Sequence, residues 1–377
     1  LRLVNMETSA GDTLDATLHV ETGNRYTIDS LFIKGDPPVN RRYLYPYLGI
    51  YPGMIYDESK IRRIPEKIEN LDFIRQIRDF EMEFSRGNRV NVYLYLERAQ
   101  SNQAEGAVGF LPDDAGKIRF TGQVELNLQN VFRRGELLEI NWSNPDRGTQ
   151  ELNLNIDIPY LVLQRIGIHT QFDLFKRDTS YLTRSAQIGL PFYVEGRNRI
   201  EVYGDFEAST VISESGDPDG VYEDFRSSLY GLRYFSDHLD YRLNPTTGWM
   251  MDVSLSAGRK RLDSQSDPLI SARAGMEASW YIPVYGNWIV QLASETRLLQ
   301  TWAERKAWPL KENELYRFGG FGSLRGFDDD ALRASLYTIA TFQVKYVLSR
   351  NSNAYAFFDG AWYEKNVVSG PVSDFPF

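Results

Sequence analysis

The segment Glu151-Leu152-Asn153-Leu154-Asn155-Ile156-Asp157-Ile158 decides how the rest of the chain is read. Every second side chain is aliphatic, and those between are acidic or amide. Successive side chains of a strand point to opposite faces, so the segment has one apolar and one polar face. The same parity recurs on both sides of it. Val124, Leu126 and Leu128 alternate with Gln123, Glu125 and Asn127; Ile166, Ile168, Phe172 and Leu174 with Arg165, His169, Gln171 and Asp173; Trp249, Met251, Val253 and Leu255 with Asp252 and Ser254. A soluble sandwich would alternate over strands of about five or six residues. Here the alternation runs for ten or more, and aromatics collect near strand ends at Trp142, Tyr160, Phe192, Trp249, Trp280 and Trp288. Long alternating strands with aromatic girdles predict a transmembrane antiparallel β-barrel.

Composition agrees and removes other classes. The chain has 377 residues, 14% of them aromatic, yet its mean hydropathy is −0.41. It holds no run of about 18 apolar residues, so no helix is expected to span a membrane. There are no cysteines and three histidines, His19, His169 and His238, far apart in sequence. Disulfides, thiolate metal sites and cysteine nucleophiles are therefore excluded, and no Ser/His/Asp arrangement is visible; neither metal nor cofactor is expected, and the chain does not read as an enzyme. A net charge of −9, with no basic block, argues against nucleic acid as a partner.

Thirteen strands can be placed between residues 101 and 366. Tight turns such as Pro245-Thr246-Thr247-Gly248 follow even-numbered strands, and longer polar loops follow several odd-numbered ones, above all Ala303 to Arg333. Short periplasmic turns and long outer loops are the outer-membrane rule, which places the N-terminal side of the barrel in the periplasm. Thirteen is an odd count, and an open edge in lipid leaves backbone groups unsatisfied. Closure is expected to need further strands or a partner, with residues 367–377 read as non-strand.

The period changes before residue 100. Tyr26 to Lys34 reads as a strand and Val39 to Leu48 as a short helix. Asp57 reads as the N-cap of a helix from Glu58 to Asn70 carrying Ile61, Ile64 and Ile68 on one side, and strands at 73–84 and 90–97 follow. This is a small α+β domain over residues 23–99 with exposed sheet edges able to recruit an extended peptide. Residues 1–22 read as the end of something preceding it, and 100–377 as the barrel.

A strand-helix-helix-strand-strand unit directly before a barrel resembles the POTRA-plus-barrel architecture of the BamA/TamA outer-membrane assembly superfamily. Thr22 to Gly35 resembles the entry to that family's barrel-adjacent POTRA domain, Tyr95 to Arg98 its exit, and Asp240 to Gly248 its mid-barrel periplasmic turn. The most specific match is Leu315-Tyr316-Arg317-Phe318-Gly319-Gly320-Phe321-Gly322-Ser323-Leu324-Arg325-Gly326-Phe327, similar to the loop that folds back into the lumen. Its core is Leu324, Arg325, Gly326 and Phe327. Phe357-Phe358-Asp359-Gly360 is similar to the strand that carries the motif's acidic partner. An arginine in a lumen needs a carboxylate, and Asp359 shares parity with Asn353 and Tyr355, the expected lumenal face. Where many relatives place a second acid this chain has Gln343; one of Asp328, Asp329 and Asp330 could substitute.

The resemblance implies a barrel of about sixteen strands and a non-enzymatic outer-membrane machine of a Gram-negative cell. It would capture unfolded client strands with its periplasmic domain, aided by periplasmic or lipoprotein accessory subunits, and insert or translocate them at the seam of the barrel in the lipid bilayer. The first strand, with Gly106, Gly109 and Pro112, is poorly suited to tight pairing and is the expected lateral seam. A dedicated secretion translocator, the POTRA-barrel part of a protein with an upstream enzymatic domain, and a passive pore are the alternatives.

Overall fold

The computed structural model describes residues 2–9, 13–19, 24–112, 118–144, 148–163, 165–212, 220–304, 306–367 and 370–374. It opens with a two-stranded hairpin, β1 (Arg2–Ser9) and β2 (Thr13–His19).

The α+β domain follows as β3 (Thr27–Lys34), α1 (Arg41–Leu48), α2 (Glu58–Arg62), α3 (Ile64–Glu69), β4 (Ile74–Ser85) and β5 (Arg89–Arg98). β5 lies between β3, its parallel partner, and β4, its antiparallel partner. Asn40 caps α1, its side chain accepting from the Tyr43 N–H, and Asp57 caps α2 in the same way through Ser59. The expected single helix from Glu58 to Asn70 is two helices broken at Arg63. Pro65 has no N–H to continue the ladder and its ring crowds the preceding turn, so the second piece starts afresh with Pro65 in its first turn. The stripe survives the break: Ile61, Ile64 and Ile68 are all buried against Leu31, Leu44, Leu94 and Leu96.

From Gln103 a single antiparallel sheet curls through β6 (Gln103–Pro112), β7 (Ile118–Gln129), β8 (Leu137–Asn144), β9 (Thr149–Leu163), β10 (Ile166–Arg177), β11 (Tyr181–Glu195), β12 (Asn198–Val211), β13 (Phe225–Asp237), β14 (Gly248–Leu262), β15 (Leu269–Tyr285) and β16 (Trp288–Ala303). A long connection holds the short strands β17 (Lys306–Trp308), β18 (Tyr316–Phe318) and β19 (Leu332–Ala334). The sheet resumes with β20 (Leu336–Ser349) on β16, then β21 (Ser352–Val367) and β22 (Gly370–Asp374). The path therefore has fourteen strands, not thirteen. Residues 370–374, expected to be non-strand, pair back on β21 with Tyr363 opposite Asp374 and Asn366 opposite Pro371. Pro371 hid this strand from the sequence reading, but a proline is tolerated near the start of a strand that uses only one edge. The path ends on β6 and β22, which do not pair with each other among the described residues.

Alternation sorts the two faces as expected. Ile188, Val202, Leu232, Leu255 and Ile270 are exposed outside, while His169, Glu201, Lys260 and Asp359 are buried inside. Phe192, Trp249, Trp280 and Trp288 face outward at strand ends. Tyr160 does not join this girdle. Its ring is 5% exposed and belongs to the core of the α+β domain, 5.6 Å from the ring of Tyr43.

That contact seats the α+β domain on one pole of the barrel. Its other attachments include the Asn130 amide donating to Pro38 O (2.6 Å) and Lys67 Nζ donating to Glu195 (2.6 Å). Burial holds the Lys67 ammonium below its ordinary pKa, despite the opposing pull of Glu195. Gly135, in the tight turn between β7 and β8, has φ of 74° and lies so close to Tyr43 that a Cβ there would be 2.0 Å from the ring. This pole carries the tight turns; the long connection holding β17 to β19 leaves from the opposite one.

Candidate functional site: the lumenal loop and its latch

The connection between β16 and β20 turns inward and is fastened step by step. β17 pairs with the end of β16, Leu310 N donates to Asn366 O (3.0 Å), and a short 3-10 turn at Glu312–Glu314 follows. Asn313 donates to Ser209 on β12 (2.8 Å) and to Glu223 O (2.9 Å). Glu314 pairs with Lys260 of β14, both side chains 3% exposed. β18 and β19 then form a small hairpin with Arg317 opposite Arg333. Phe318 stacks on Tyr337 of β20 at 4.5 Å, and Leu324, Ala334, Ile339 and Ala361 complete an apolar cluster against the wall. Leu324 of the motif is thus an anchor, 1% exposed, with Phe327 packed at the cluster's edge.

This cluster aims Arg325 at the strand wall. Its Nε and Nη2 donate to the two carboxylate oxygens of Asp359, at 2.6 and 2.7 Å, and Nη1 reaches the amide oxygen of Gln343 at 3.4 Å. The forked geometry matches a planar guanidinium to a carboxylate, which a lysine could not do. The Asp359 side chain is 1% exposed and also accepts from Thr341 Oγ1 (2.8 Å), so its negative charge is matched rather than stranded. The guanidinium lies 3.5 Å from the centroid of the Phe357 ring, two residues along the same face of β21. Gly326 has φ of 95° with open space around it, so the turn needs glycine for its backbone and not for room.

Of the expected motif residues, Arg325 meets Asp359 and Gln343, Leu324 and Phe327 pack in the apolar cluster, and Gly326 makes the turn between them. Asp328, Asp329 and Asp330 do not supply a second acid to Arg325. All three are exposed, and Asp330 accepts from Arg317 (2.9 Å). Lys345, on the same face as Gln343, points away to Asn244 Oδ1 (3.1 Å) and the carbonyl of Pro245 in the mid-barrel turn.

Sequence reasoning missed a second latch. Arg317 donates to Glu151 on β9 (2.9 Å), as well as to Asp330, and lies 3.2 Å from the Phe175 ring centroid on β10. Thr341 was missed as well, and Phe357 was quoted only as a neighbour of Asp359, although both share the lumenal parity of their strands with Gln343 and Asp359. Along the remaining inner wall Arg233 pairs with Asp252 (2.8 Å) and Arg273 with Asp205 (2.9 Å) and Glu207, and the His169 ring lies within hydrogen-bond distance of Glu201 (2.9 Å). A polar cavity of about 380 Å³ lies between Arg273, Arg297 and Tyr316. No group of three or more His, Cys, Asp and Glu side chains that could hold a metal occurs among the described residues. The arrangement holds a charged loop across a polar lumen.

Of the expected seam residues, Gly106, Gly109 and Pro112 all lie in β6, which has β7 on one side and is the first strand of the path. The latch lies at the other end: Asp359 is on β21, the last long strand, and β22 pairs with it.

Comparison with known proteins follows the same lines. The Omp85 superfamily domain matches residues 119–370. The outer membrane protein assembly factor BamA of Neisseria meningitidis serogroup B is 23% identical over 387 residues, covering 94% of this chain and 46% of that protein. The chain thus spans about half the length of this curated relative. Among solved structures, BamA from Haemophilus ducreyi lacking POTRA domains 1-3 aligns with a TM-score of 0.51 at 14% identity, covering 96% of this chain and 76% of that one. CdiB from Escherichia coli aligns with a TM-score of 0.57 at 14% identity, covering 99% and 72%. At such identities these likenesses are of fold: a small α+β POTRA domain before an antiparallel barrel. The family match covers well over half of the residues, including β7 to β21 and the latched loop, and the chain belongs to the Omp85 superfamily of outer-membrane β-barrel proteins.

Proposed function

We propose that the protein is an outer-membrane assembly factor that captures client strands in the periplasm and inserts them at the seam beside β6. The POTRA domain is the capture element. Among the described residues its edge strand β4 pairs only with β5, and it exposes Ile77, Met82 and Phe84, a surface suited to an added strand. The seam is the exit: β6 offers backbone donors and acceptors along one side, and in hydrocarbon such groups strongly favour a pairing partner. The observation that carries the reading is the place of the latch. Arg325 grips Asp359 on β21, so the loop holds the C-terminal part of the wall, at the end of the path remote from β6, and keeps its register while a client pairs.

A secretion translocator would pass its substrate through the lumen. Here the loop is pinned to β9, β12, β14 and β21 at once, which favours work at the seam over passage through the interior. Depletion in the native host, followed by quantitative outer-membrane proteomics, tests the choice. Broad loss of barrel proteins is expected. Loss of a single exported protein, with other barrels at normal levels, would replace this reading with the translocator.

A further inference from the structure

The outward face of β11 to β16 has an unusual charge pattern. The chain carries a net charge of −9, yet among the described residues arginine is the only charged residue type on this face. Arg184, Arg226, Arg259 and Arg261 share the parity of the exposed Ile188, Leu232 and Leu255, and all four are exposed. The strand register sets them in one row. Arg184 is opposite Ala208, Ala208 is opposite Arg226, and Arg226 is opposite Arg261, with Arg259 one outward position further along β14, opposite Ser228. Three strand steps at about 4.8 Å put Arg184 roughly 14 Å from Arg261. None of the four takes part in an ion pair among the described residues. The row lies at the pole remote from the POTRA domain.

Immediately below the row the wall is indented. A groove of about 560 Å³ is floored by Ala257, Ala272 and Ala274 and walled by Tyr230, Leu298 and Trp302. Small residues at three neighbouring outward positions, Ala257 of β14 facing Ala272 of β15 with Ala274 next along β15, let a slender apolar body lie against the backbone. The volume is in the range of small-molecule sites and the lining is largely apolar.

We propose that this wall binds a membrane lipid whose headgroup carries two separated phosphates, with one acyl chain in the groove. Phosphates are matched by forked guanidinium donors. A row some 14 Å long is wider than a single phosphate can bridge, so a headgroup that holds two phosphates apart is the better fit. Arginines that merely snorkel to an interface need no groove beside them. Assigning the lipid to the outer leaflet rests on the orientation proposed above; the binding itself does not.

The test uses the full chain in phosphatidylcholine nanodiscs, which expose both leaflets. They are doped with a diphosphorylated glycolipid or with its monophosphorylated counterpart, and retained lipid is counted by native mass spectrometry. The diphosphorylated probe should be retained in preference to the monophosphorylated one, and both over phosphatidylcholine. An arginine near an anionic lipid surface is worth about fivefold, so the double variant R226Q/R261Q should lose roughly 25-fold of the preference. Ala272→Phe should fill the groove and reduce retention while leaving the phosphate ranking intact. Heat-modifiable gel mobility establishes that each variant is folded. Equal retention of all three lipids by the unaltered protein, or an undiminished preference in folded R226Q/R261Q, would overturn the proposal.

Discussion

Removing the latch should cost more than an exposed ion pair would, and the structure says how much. Arg325→Ala deletes both charged hydrogen bonds to Asp359 and the contact with Phe357, and leaves a carboxylate that is 1% exposed with Thr341 as its remaining side-chain donor. Breaking one partner from a buried pair typically costs about 3–5 kcal/mol. The cation–π contact adds about 1 kcal/mol, and partial exposure of the guanidinium reduces the sum. A loss of roughly 3 kcal/mol is expected. Denaturant unfolding from lipid vesicles, followed by tryptophan fluorescence, measures it. Much of the cost lies in the stranded acid, so Asp359→Ala placed on top of Arg325→Ala should recover part of it, giving a coupling of about 2 kcal/mol in the double-mutant cycle. Arg325→Lys keeps the charge without the fork and should restore only part of the stability. A loss below about 0.5 kcal/mol, or single effects that add without coupling, would refute the claim that this pair holds the loop to the wall.

Other expectations are smaller or lie elsewhere. Arg317→Ala releases the loop from β9 and β10, but its side chain is 26% exposed, so about 1 kcal/mol is expected in the same unfolding assay, with increased protease access to the loop as a separate readout. Gly135→Ala puts a Cβ into the Tyr43 ring and should loosen the POTRA domain from the barrel rim while leaving the barrel folded. Faster hydrogen exchange in α1, with unchanged heat-modifiable mobility, would be the signature.

Much of this architecture is legible in the sequence because a barrel wall has apolar surroundings on one side and a polar lumen on the other. That contrast imposes a strict period of two, and the thirteen expected strands agree with β6 to β16, β20 and β21 to within a few residues at their ends. The same parity placed Asp359 on the lumenal face. Departures came where a local rule was outweighed. Pro65 broke a helix whose apolar stripe continued across it, and Pro371 concealed a strand that needs only one edge. Tyr160 carries an aromatic ring at a strand end, as girdle residues do, but a docked domain covers it. Periodicity gives the face a side chain points to, not what reaches it from a distant loop. Arg317 meeting Glu151 across 166 positions of sequence therefore left no local trace.

Site-specific cross-linking between β6 and a client tests the central claim most directly. A photoreactive residue replacing Val108, which is 58% exposed on β6, should capture the terminal strand of an outer-membrane client during its assembly. The same residue replacing Leu232, on the outward wall far from the seam, should capture little or none. Equal capture at both positions, or client cross-links confined to lumenal positions, would contradict insertion at the seam.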